Sequence, residues 1–284
     1  MSFTTLIDTA ALASRLDDPG LVIFDCRFDL KDTGWGERAY AEGHVPRALY
    51  VHLDRNLSAP KTGTNGRHPL PDAATAARTF SALGVGAGVQ VVAYDQDTGM
   101  YASRVWWMLR WLGHDAVAVL DGGLARWRAE GRAIRSGVEA PVPRPFVAAP
   151  RAGMIVTADQ IAVLTGSGFQ LVDARAPERY RGDVEPLDRV PGHIPGARNH
   201  YFQSNLDNTG RFRSAADLAA RFSETLGDTP ADRAICYCGS GVTACHDLLA
   251  MEHAGLPGGR LYAGSWSEWS ADPQRPVATG TDDQ

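Results

Sequence analysis

The chain has 284 residues, of which 44% are hydrophobic and 21% charged, and its formal net charge at pH 7 is −5. This composition is typical of a globular protein, and the length allows two domains of about 100–200 residues each. The acidic balance argues against general nucleic-acid binding, which requires a basic surface. No apolar stretch is long enough to span a bilayer, so we expect no membrane partner.

The cysteines and the N-terminal sequence predict a cytoplasmic location. Residues 1–18 lack the basic and apolar regions of a secretory signal. Three of the four cysteines fall within residues 235–249, which is not the pattern of a secreted disulfide framework. Clustered thiols in a reducing compartment are more often catalytic or metal-binding.

An internal repeat divides the chain into two similar halves. Four pairs of segments resemble each other in the same order: 21–29 and 169–177, 40–49 and 190–199, 89–104 and 232–246, 117–127 and 259–269. Between the copies, residues 138–150 contain four prolines and should form an extended, semi-rigid linker. The repeat therefore predicts an N-terminal domain over 1–137, the linker, and a C-terminal domain over 151–284.

The second copy alternates helix and strand patterns. Its predicted elements, in chain order, are a helix over 157–168 with Thr157 and Gln160 in capping-box spacing, a strand Gln170–Asp173, a helix over 214–227 capped by Ser214, a strand Ala234–Tyr237, a helix over 243–255 and a strand Arg260–Tyr262. This alternation predicts an α/β fold in which each domain is a parallel sheet flanked by helices. The tail over 278–284 should be disordered.

The loop that begins at Cys238 joins a predicted strand to a predicted helix. Ligands of open α/β sheets bind at the carboxyl ends of strands, where this loop lies. Gly239 and Gly241 allow a tight turn whose N–H groups, with the helix N-terminus, form a cradle for an anion. Such a site favours a thiolate and predicts a nucleophile at Cys238.

Other interpretations of the cysteine cluster remain open. Cys236 and Cys245 are expected in the core, although either could form a redox pair with Cys238. A metal site is weakly indicated, because Cys236 and Cys238 have C-x-C spacing with no second ligand pair. A cysteine phosphatase is disfavoured, because no arginine follows Cys238 to close the loop on phosphate.

The motifs of the chain resemble those of tandem-domain rhodanese-like sulfurtransferases over nearly its full length. CGSGVTAC (238–245) resembles the active-site loop of 3-mercaptopyruvate sulfurtransferases, while GHIPGARN (193–200) and LYAGSWSEW (261–269) resemble rhodanese signatures. The resemblance implies two rhodanese domains and no cofactor. It also implies a non-catalytic first copy, because Asp95 stands where the repeat would place the cysteine.

The resemblance implies transfer of sulfane sulfur through a persulfide on Cys238. The donor would be a small molecule, 3-mercaptopyruvate or thiosulfate, and the acceptor cyanide, a thiol or thioredoxin. Neutral residues after the cysteine match the mercaptopyruvate-preferring loop. A thiosulfate-preferring rhodanese, a non-enzymatic sulfur-relay protein and a redox sensor are the alternatives. We expect a monomer.

The resemblance also assigns site residues. Arg179 falls where the family keeps a substrate arginine; the second would fall near Leu187, and Arg189 is expected to substitute for it. The proton-handling Ser, His and Asp of the family would be Ser240, His44 and Asp32. The remaining substrate-binding residues would be those of the loop: Gly239, Ser240, Gly241, Val242 and Thr243.

Overall fold

The computed structural model describes residues 2–281, which form two compact units. The N-terminal unit comprises the chain up to Ala59, Pro71–Arg151 and Asn208–Phe212. The C-terminal unit comprises Pro60–Leu70, Ala152–Asp207 and the chain from Arg213 onward. Each unit contains a five-stranded parallel sheet flanked by helices, which confirms the predicted fold class.

The sheet of the N-terminal unit has the strand order β1-β5-β4-β2-β3. Its strands are β1 (Leu6–Ile7), β2 (Leu21–Asp25), β3 (Ala48–Tyr50), β4 (Gln90–Tyr94) and β5 (Val117–Leu120). Its helices are α1 (Thr9–Ala13), α2 (Trp35–Glu42), α3 (Leu53–Asn56), α4 (Ala73–Ala82), α5 (Ala102–Trp111) and α6 (Gly123–Ala129).

The C-terminal unit repeats this topology, with the strand order β6-β10-β9-β7-β8. Its strands are β6 (Ile155–Val156), β7 (Gln170–Asp173), β8 (Arg198–Asn199), β9 (Ala234–Tyr237) and β10 (Arg260–Tyr262). Its helices are α7 (Ala158–Thr165), α8 (Pro177–Arg181), α9 (Ala215–Leu226), α10 (Thr243–His253) and α11 (Ser265–Trp269). Strand β9 is central, so the loop after it opens at the middle of the sheet's carboxyl edge.

Local chemistry accounts for these elements. Helix α7 begins with the predicted capping box, in which the Thr157 N–H donates to Gln160 Oε1 at 3.0 Å. At the start of α9, Ser214 Oγ accepts from the Asp217 N–H at 3.2 Å. Strand β9 is buried along its whole length, as expected of a central parallel strand.

Two short segments belong to the unit formed mainly by the other half of the sequence. Pro60–Leu70 lies in the C-terminal unit, and Asn208–Phe212 lies in the N-terminal unit. In the C-terminal unit, the Arg67 N–H of segment 60–70 donates to Ser267 Oγ at 2.9 Å. In the N-terminal unit, Asp121 accepts hydrogen bonds from Arg211 Nε and the Phe212 N–H at 2.8 and 2.9 Å. These contacts hold each segment in place, and the units are therefore not continuous stretches of chain.

The proline-rich segment 138–150 belongs to the N-terminal unit. It contains no helix or strand, which agrees with its predicted extended form. It is nevertheless anchored, because the Arg144 and Ala149 N–H groups donate to the Ser81 and Leu112 carbonyls at 3.0 and 2.9 Å. These bonds attach the segment to one unit along its length.

The tail is partly ordered, contrary to the prediction. Ala278 exchanges two backbone hydrogen bonds with His193, and the Gly280 N–H donates to the Arg181 carbonyl at 2.8 Å. Residues 282–284 of the predicted disordered tail lie outside the described residues. Within residues 2–281, no helix combines the length and apolar character needed to cross a bilayer.

Candidate active site

Cys238 lies directly after β9, and its side chain is almost completely buried, with 2% of the residue exposed. Its Sγ accepts a hydrogen bond from the Gly241 N–H at 3.1 Å. Helix α10 begins five residues after the thiol, at Thr243. The sulfur thus lies in a turn that leads to the positive end of a helix, an arrangement that stabilises negative charge on sulfur.

The turn requires glycine at position 241. Gly241 has φ +73°, and a Cβ there would lie 2.3 Å from the Ala263 carbonyl oxygen. An L side chain would meet both backbone strain and a collision with backbone. This glycine therefore lets its own N–H point at Cys238.

The start of α11 fixes the other side of Cys238. Ser265 Oγ accepts from the Cys238 N–H at 3.1 Å, and the Cys238 carbonyl accepts from the Trp266 N–H at 2.9 Å. Ser265 has φ +55°, an uncommon conformation for a non-glycine residue. The segment that resembled the C-terminal rhodanese signature therefore positions the cysteine backbone.

Ser240, two residues after Cys238, is hydrogen-bonded to a histidine. Its Oγ lies 2.7 Å from Nδ1 of His68, and the two residues are 7% and 3% exposed. His68 belongs to segment 60–70, which is part of the C-terminal unit. The pair can hold or move a proton close to the thiol.

Two guanidinium groups lie over Gly239. A Cβ at Gly239 would be 2.9 Å from Arg67 Nη2 and 3.5 Å from Arg179 Nη1. Arg67 is paired with Asp188 at 2.7 Å, and Arg179 is paired with Glu185 at 2.7 Å. Two guanidinium groups, each already paired with a carboxylate, therefore lie beside the loop, where they can bind an anionic group of a substrate.

The structure does not support the role expected for His44. This residue lies in the N-terminal unit with none of its surface exposed, and its ring stacks on Tyr40 with centroids 4.1 Å apart. Its Nδ1 lies 2.8 Å from the Tyr40 carbonyl oxygen. His193, its repeat counterpart, stacks on Tyr180 in the same way, so both histidines pack on a tyrosine of the preceding helix.

Asp32 and Arg189 also have other surroundings than those expected. Asp32 lies in the N-terminal unit, is more than half exposed and forms an ion pair with Arg38. Arg189 is exposed and lines a pocket with Ser267, whereas the second guanidinium over Gly239 belongs to Arg67.

Cys236 and Cys245 are fully buried, as expected of core residues. Burial raises the pKa of the Cys236 thiol well above its usual value, which keeps the group neutral. The Cys245 thiol donates to the Gly241 carbonyl at 3.3 Å. Neither residue is placed as a second nucleophile. Burial disfavours the Cys236 thiolate, and the Cys245 thiol is hydrogen-bonded to the backbone of the loop.

A buried hydrogen bond links α10 to Asn205. Asn205 Nδ2 donates to Asp247 Oδ1 at 2.8 Å, and burial raises the pKa of Asp247 well above its usual range. Burial therefore disfavours the charged form of Asp247, which limits the negative charge inside the unit that carries Cys238.

The comparisons with known proteins agree with this geometry. The profile of the rhodanese-like domain matches residues 8–130 and again 157–272. The chain is 49% identical, over 99% of its length and all of the relative, to a probable 3-mercaptopyruvate sulfurtransferase of Pseudomonas aeruginosa. The chain belongs to the tandem rhodanese-like sulfurtransferases.

Other members of the family carry different names. A putative thiosulfate sulfurtransferase of Mycobacterium tuberculosis is 40% identical, with 97% of each chain covered. The structure of 3-mercaptopyruvate sulfurtransferase from Leishmania major superposes with a TM-score of 0.84 at 32% identity, covering 96% of this chain and 76% of that one. Family membership alone therefore leaves the donor open.

In the first rhodanese-like domain, Asp95 follows β4 as Cys238 follows β9. Its Oδ1 accepts from the Gly99 N–H at 2.9 Å, and its Oδ2 accepts from the Tyr101 N–H at 2.7 Å. Burial raises the pKa of Asp95 to about 6. The loop amides of this copy are thus occupied by a carboxyl group of the protein itself.

The sequence reasoning missed Arg67 and His68. Their only signal is a further match in the repeat: Gly-Arg-His at 66–68 recurs as Gly-Arg-Phe at 210–212. Both segments belong to the unit of the opposite sequence half, so this match would have indicated that segment 60–70 has an equivalent in the second copy. Asp188 carries no motif, and only its contacts identify it.

Proposed function

We propose that this sulfurtransferase takes sulfur from 3-mercaptopyruvate through a persulfide on Cys238 and passes it to a thiophilic acceptor. The observation that carries the proposal is the Gly241 N–H donating to Cys238 Sγ at 3.1 Å, beside the Ser240–His68 pair. The relative at 49% identity is named for the same donor.

In the first half-reaction the Cys238 thiolate attacks the donor sulfur. An S–S bond forms, the carbon–sulfur bond breaks, and its electron pair leaves on carbon as the enolate of pyruvate. The enolate takes up one proton, so that thiolate, donor and proton give persulfide and pyruvate. His68 and Ser240 supply this proton. We assign to His68 the role that the family resemblance had given to His44.

In the second half-reaction a nucleophile attacks the outer sulfur of the persulfide. The S–S bond breaks, its electron pair returns to Cys238, and the sulfur leaves on the acceptor. Cyanide would give thiocyanate, and a thiol or thioredoxin would give a persulfide. The loop amides and the N-terminus of α10 stabilise the negative charge on sulfur in both halves of the cycle.

The charges around the loop favour a monoanionic donor. Gly239 and Ser240 are neutral, and the two guanidinium groups beside them are already paired with carboxylates. A dianion such as thiosulfate gains less from such a site than from one with uncompensated positive charge. Thiosulfate is therefore the second donor, consistent with the name of the relative at 40% identity.

We further propose that the protein works as a monomer in the cytoplasm with small-molecule substrates. Its four cysteines are buried, and three of them cluster within residues 235–249, which suits a reducing compartment better than a secreted disulfide framework. A persulfide carrier that relays sulfur to a partner protein is the alternative, and the 2% exposure of Cys238 disfavours it, because a thiol carried on a protein reaches a buried sulfur less easily than a small molecule does.

The test is kcat/KM for 3-mercaptopyruvate and for thiosulfate with cyanide as acceptor, in the wild type, Cys238→Ser and the control Cys236→Ser. We expect the wild type to prefer mercaptopyruvate, the Cys238 variant to be inactive and the control to retain activity. Mass spectrometry after donor treatment should show one added sulfur on Cys238. Preference for thiosulfate would overturn the donor assignment, and a Cys238 that loads from partner proteins alone would favour the relay.

A further inference from the structure

Beside the nucleophile lies a cluster of six alternating charges, which we call the charge cluster. It joins three guanidinium groups to three carboxylates: Arg67, Arg175, Arg179, Asp173, Glu185 and Asp188. The formal charges sum to zero. An anion that approaches Gly239 therefore meets two guanidinium groups whose charge is already compensated by the protein.

Asp188 bridges the two arginines over Gly239. Its Oδ1 accepts from Arg67 Nη1 at 2.7 Å, and its Oδ2 accepts from Arg179 Nη2 at 3.3 Å. The Asp188 side chain is 7% exposed, which strengthens both contacts relative to a surface ion pair. One carboxylate of the protein thus holds two guanidinium groups from opposite sides.

Arg67 retains capacity for a further acceptor. Its Nε is buried without a hydrogen-bond partner among the described residues, and its Nη2 is the atom closest to a Gly239 Cβ position. A buried guanidinium N–H without an acceptor is costly. An anion placed over Gly239 would lie next to Arg67 Nη2 and Arg179 Nη1.

We propose that Asp188 is a built-in competitor of the donor: its carboxylate is bonded to Arg67 Nη1 and Arg179 Nη2, and during turnover the carboxylate of an α-keto acid donor takes these two guanidinium groups from it, entering over Gly239 beside Arg67 Nη2 and Arg179 Nη1. The inference rests on the proposed function. Arg67 is then the second substrate-binding arginine of this chain, and Asp188 is a specificity-determining residue that lowers the affinity for every anion.

The surroundings of Asp188 allow this exchange. Arg179 keeps its 2.7 Å contact with Glu185 when Asp188 leaves, so the guanidinium stays beside the loop. Glu185 is itself buried and bonded to Arg175 at 3.3 Å. A pocket of about 560 Å³, lined by residues 187–190 and Ser267, gives the displaced carboxylate room to rotate.

The competitor discriminates by charge. A monocarboxylate that replaces Asp188 restores the neutral balance of the charge cluster, whereas thiosulfate brings a second negative charge that nothing compensates. Removing the Asp188 charge should therefore help the dianion more than the monoanion, because the interaction energy scales with the charge of the ligand.

The experiment compares Asp188→Asn with the wild type and with the control Asp183→Asn, which removes an exposed carboxylate paired with Arg181 in the same unit. We expect Asp188→Asn to lower KM for 3-mercaptopyruvate by about tenfold and to lower KM for thiosulfate by more. Pyruvate should also inhibit the thiosulfate reaction more strongly. The control should leave all three quantities within twofold of the wild type.

A second variant keeps the test decisive if Asp188→Asn does not fold. Arg67→Gln should raise KM for 3-mercaptopyruvate by about tenfold with little change in kcat, and Arg67→Lys should recover part of the loss. Unchanged KM values in Asp188→Asn, or in Arg67→Gln, would overturn the inference. If the wild type loads no sulfur from either donor, the proposed function itself fails, which is a distinct result.

Discussion

Nδ1 of His68 lies 2.7 Å from Oγ of Ser240, although 172 positions separate the two residues in the chain. Both side chains are buried, and Ser240 is two residues from the Cys238 nucleophile. The contact joins a hydroxyl group to a titratable ring within the unit that carries the Cys238 thiol. This pair is the proton source in the mercaptopyruvate mechanism that we propose.

Replacing His68 should affect the two donors differently. His68→Asn should lower kcat/KM for 3-mercaptopyruvate by about 10²-fold, because general acid catalysis is lost. The thiosulfate reaction should change far less, since sulfite leaves without taking up a proton. The measurement is the ratio of the two kcat/KM values.

Two further variants test whether Ser240 and His68 act together. Ser240→Ala should reproduce the shift in the donor ratio, and the double variant should be no worse than either single one. His44→Asn should lower thermal stability and leave the ratio at its wild-type value. A ratio that moves in His44→Asn and stays constant in His68→Asn would reverse our assignment.

Gly241→Ala should inactivate the enzyme through the backbone. The added Cβ would lie 2.3 Å from the Ala263 carbonyl oxygen, so the loop must shift and the N–H bond to Cys238 Sγ is lost. Gly255→Ala is the matched control, because Gly255 has φ +77° and open space around its Cβ position. Gly255→Ala should lose about 1 kcal/mol of stability from backbone strain alone, and Gly241→Ala should lose more because of the added collision. Persulfide formation, followed by mass spectrometry, should fail in Gly241→Ala alone.

Removing Arg175 should strongly destabilise the C-terminal unit, because its buried partner Asp173 would lose the charge that compensates it. Arg175→Met leaves the Asp173 carboxylate buried without its 2.7 Å partner, and we expect a loss of about 3–5 kcal/mol in urea unfolding. Arg181→Met, which breaks an exposed pair with Asp183, should cost less than about 1 kcal/mol. Similar losses of unfolding free energy in both variants would show that burial of the Asp173–Arg175 pair does not increase the cost of removing its arginine.

Asp95 should make the stability of the N-terminal unit depend on pH. Burial raises its pKa from 3.8 to about 6, so between these values the folded state binds a proton that the unfolded state has released. The contribution of Asp95 to stability therefore falls as pH rises from 4 to 6 and is constant above that range.

The measurement for Asp95 is the free energy of unfolding of wild type and Asp95→Asn at several pH values. The difference, wild type minus variant, should fall by about 2–3 kcal/mol between pH 4 and pH 6. A difference that rises over this range would mean that the loop N–H groups, which donate to the carboxylate from Gly99 and Tyr101, outweigh burial.

Features governed by neighbours in the sequence were predictable. The strands Gln170–Asp173 and Ala234–Tyr237 and the Thr157 cap follow from short-range patterns, and the structure has all three. The position of Cys238 at the end of a strand was also predictable, because a strand, a glycine turn and a helix follow one another along the chain. In each case adjacent residues determine the local backbone.

The partners of Cys238 were harder to predict because they come from remote segments. Arg67 and His68 reach the loop through the packing of segment 60–70, which no helix or strand period encodes. The family resemblance instead favoured His44, whose ring stacks on Tyr40 as that of His193 stacks on Tyr180. Side chains that meet only after tertiary folding leave little trace in local patterns.

The exchange of segments 60–70 and 208–212 has a consequence for how the protein is made and how its gene can be divided. During translation, Arg67 and His68 are synthesised before β6, so they cannot pack in their unit until the rest of it has been made. The earlier half, in turn, lacks its final segment until residue 212 has been added. Neither half of the sequence contains all the residues of its own unit. A gene fragment starting at codon 151 would encode Cys238 without His68 or Arg67.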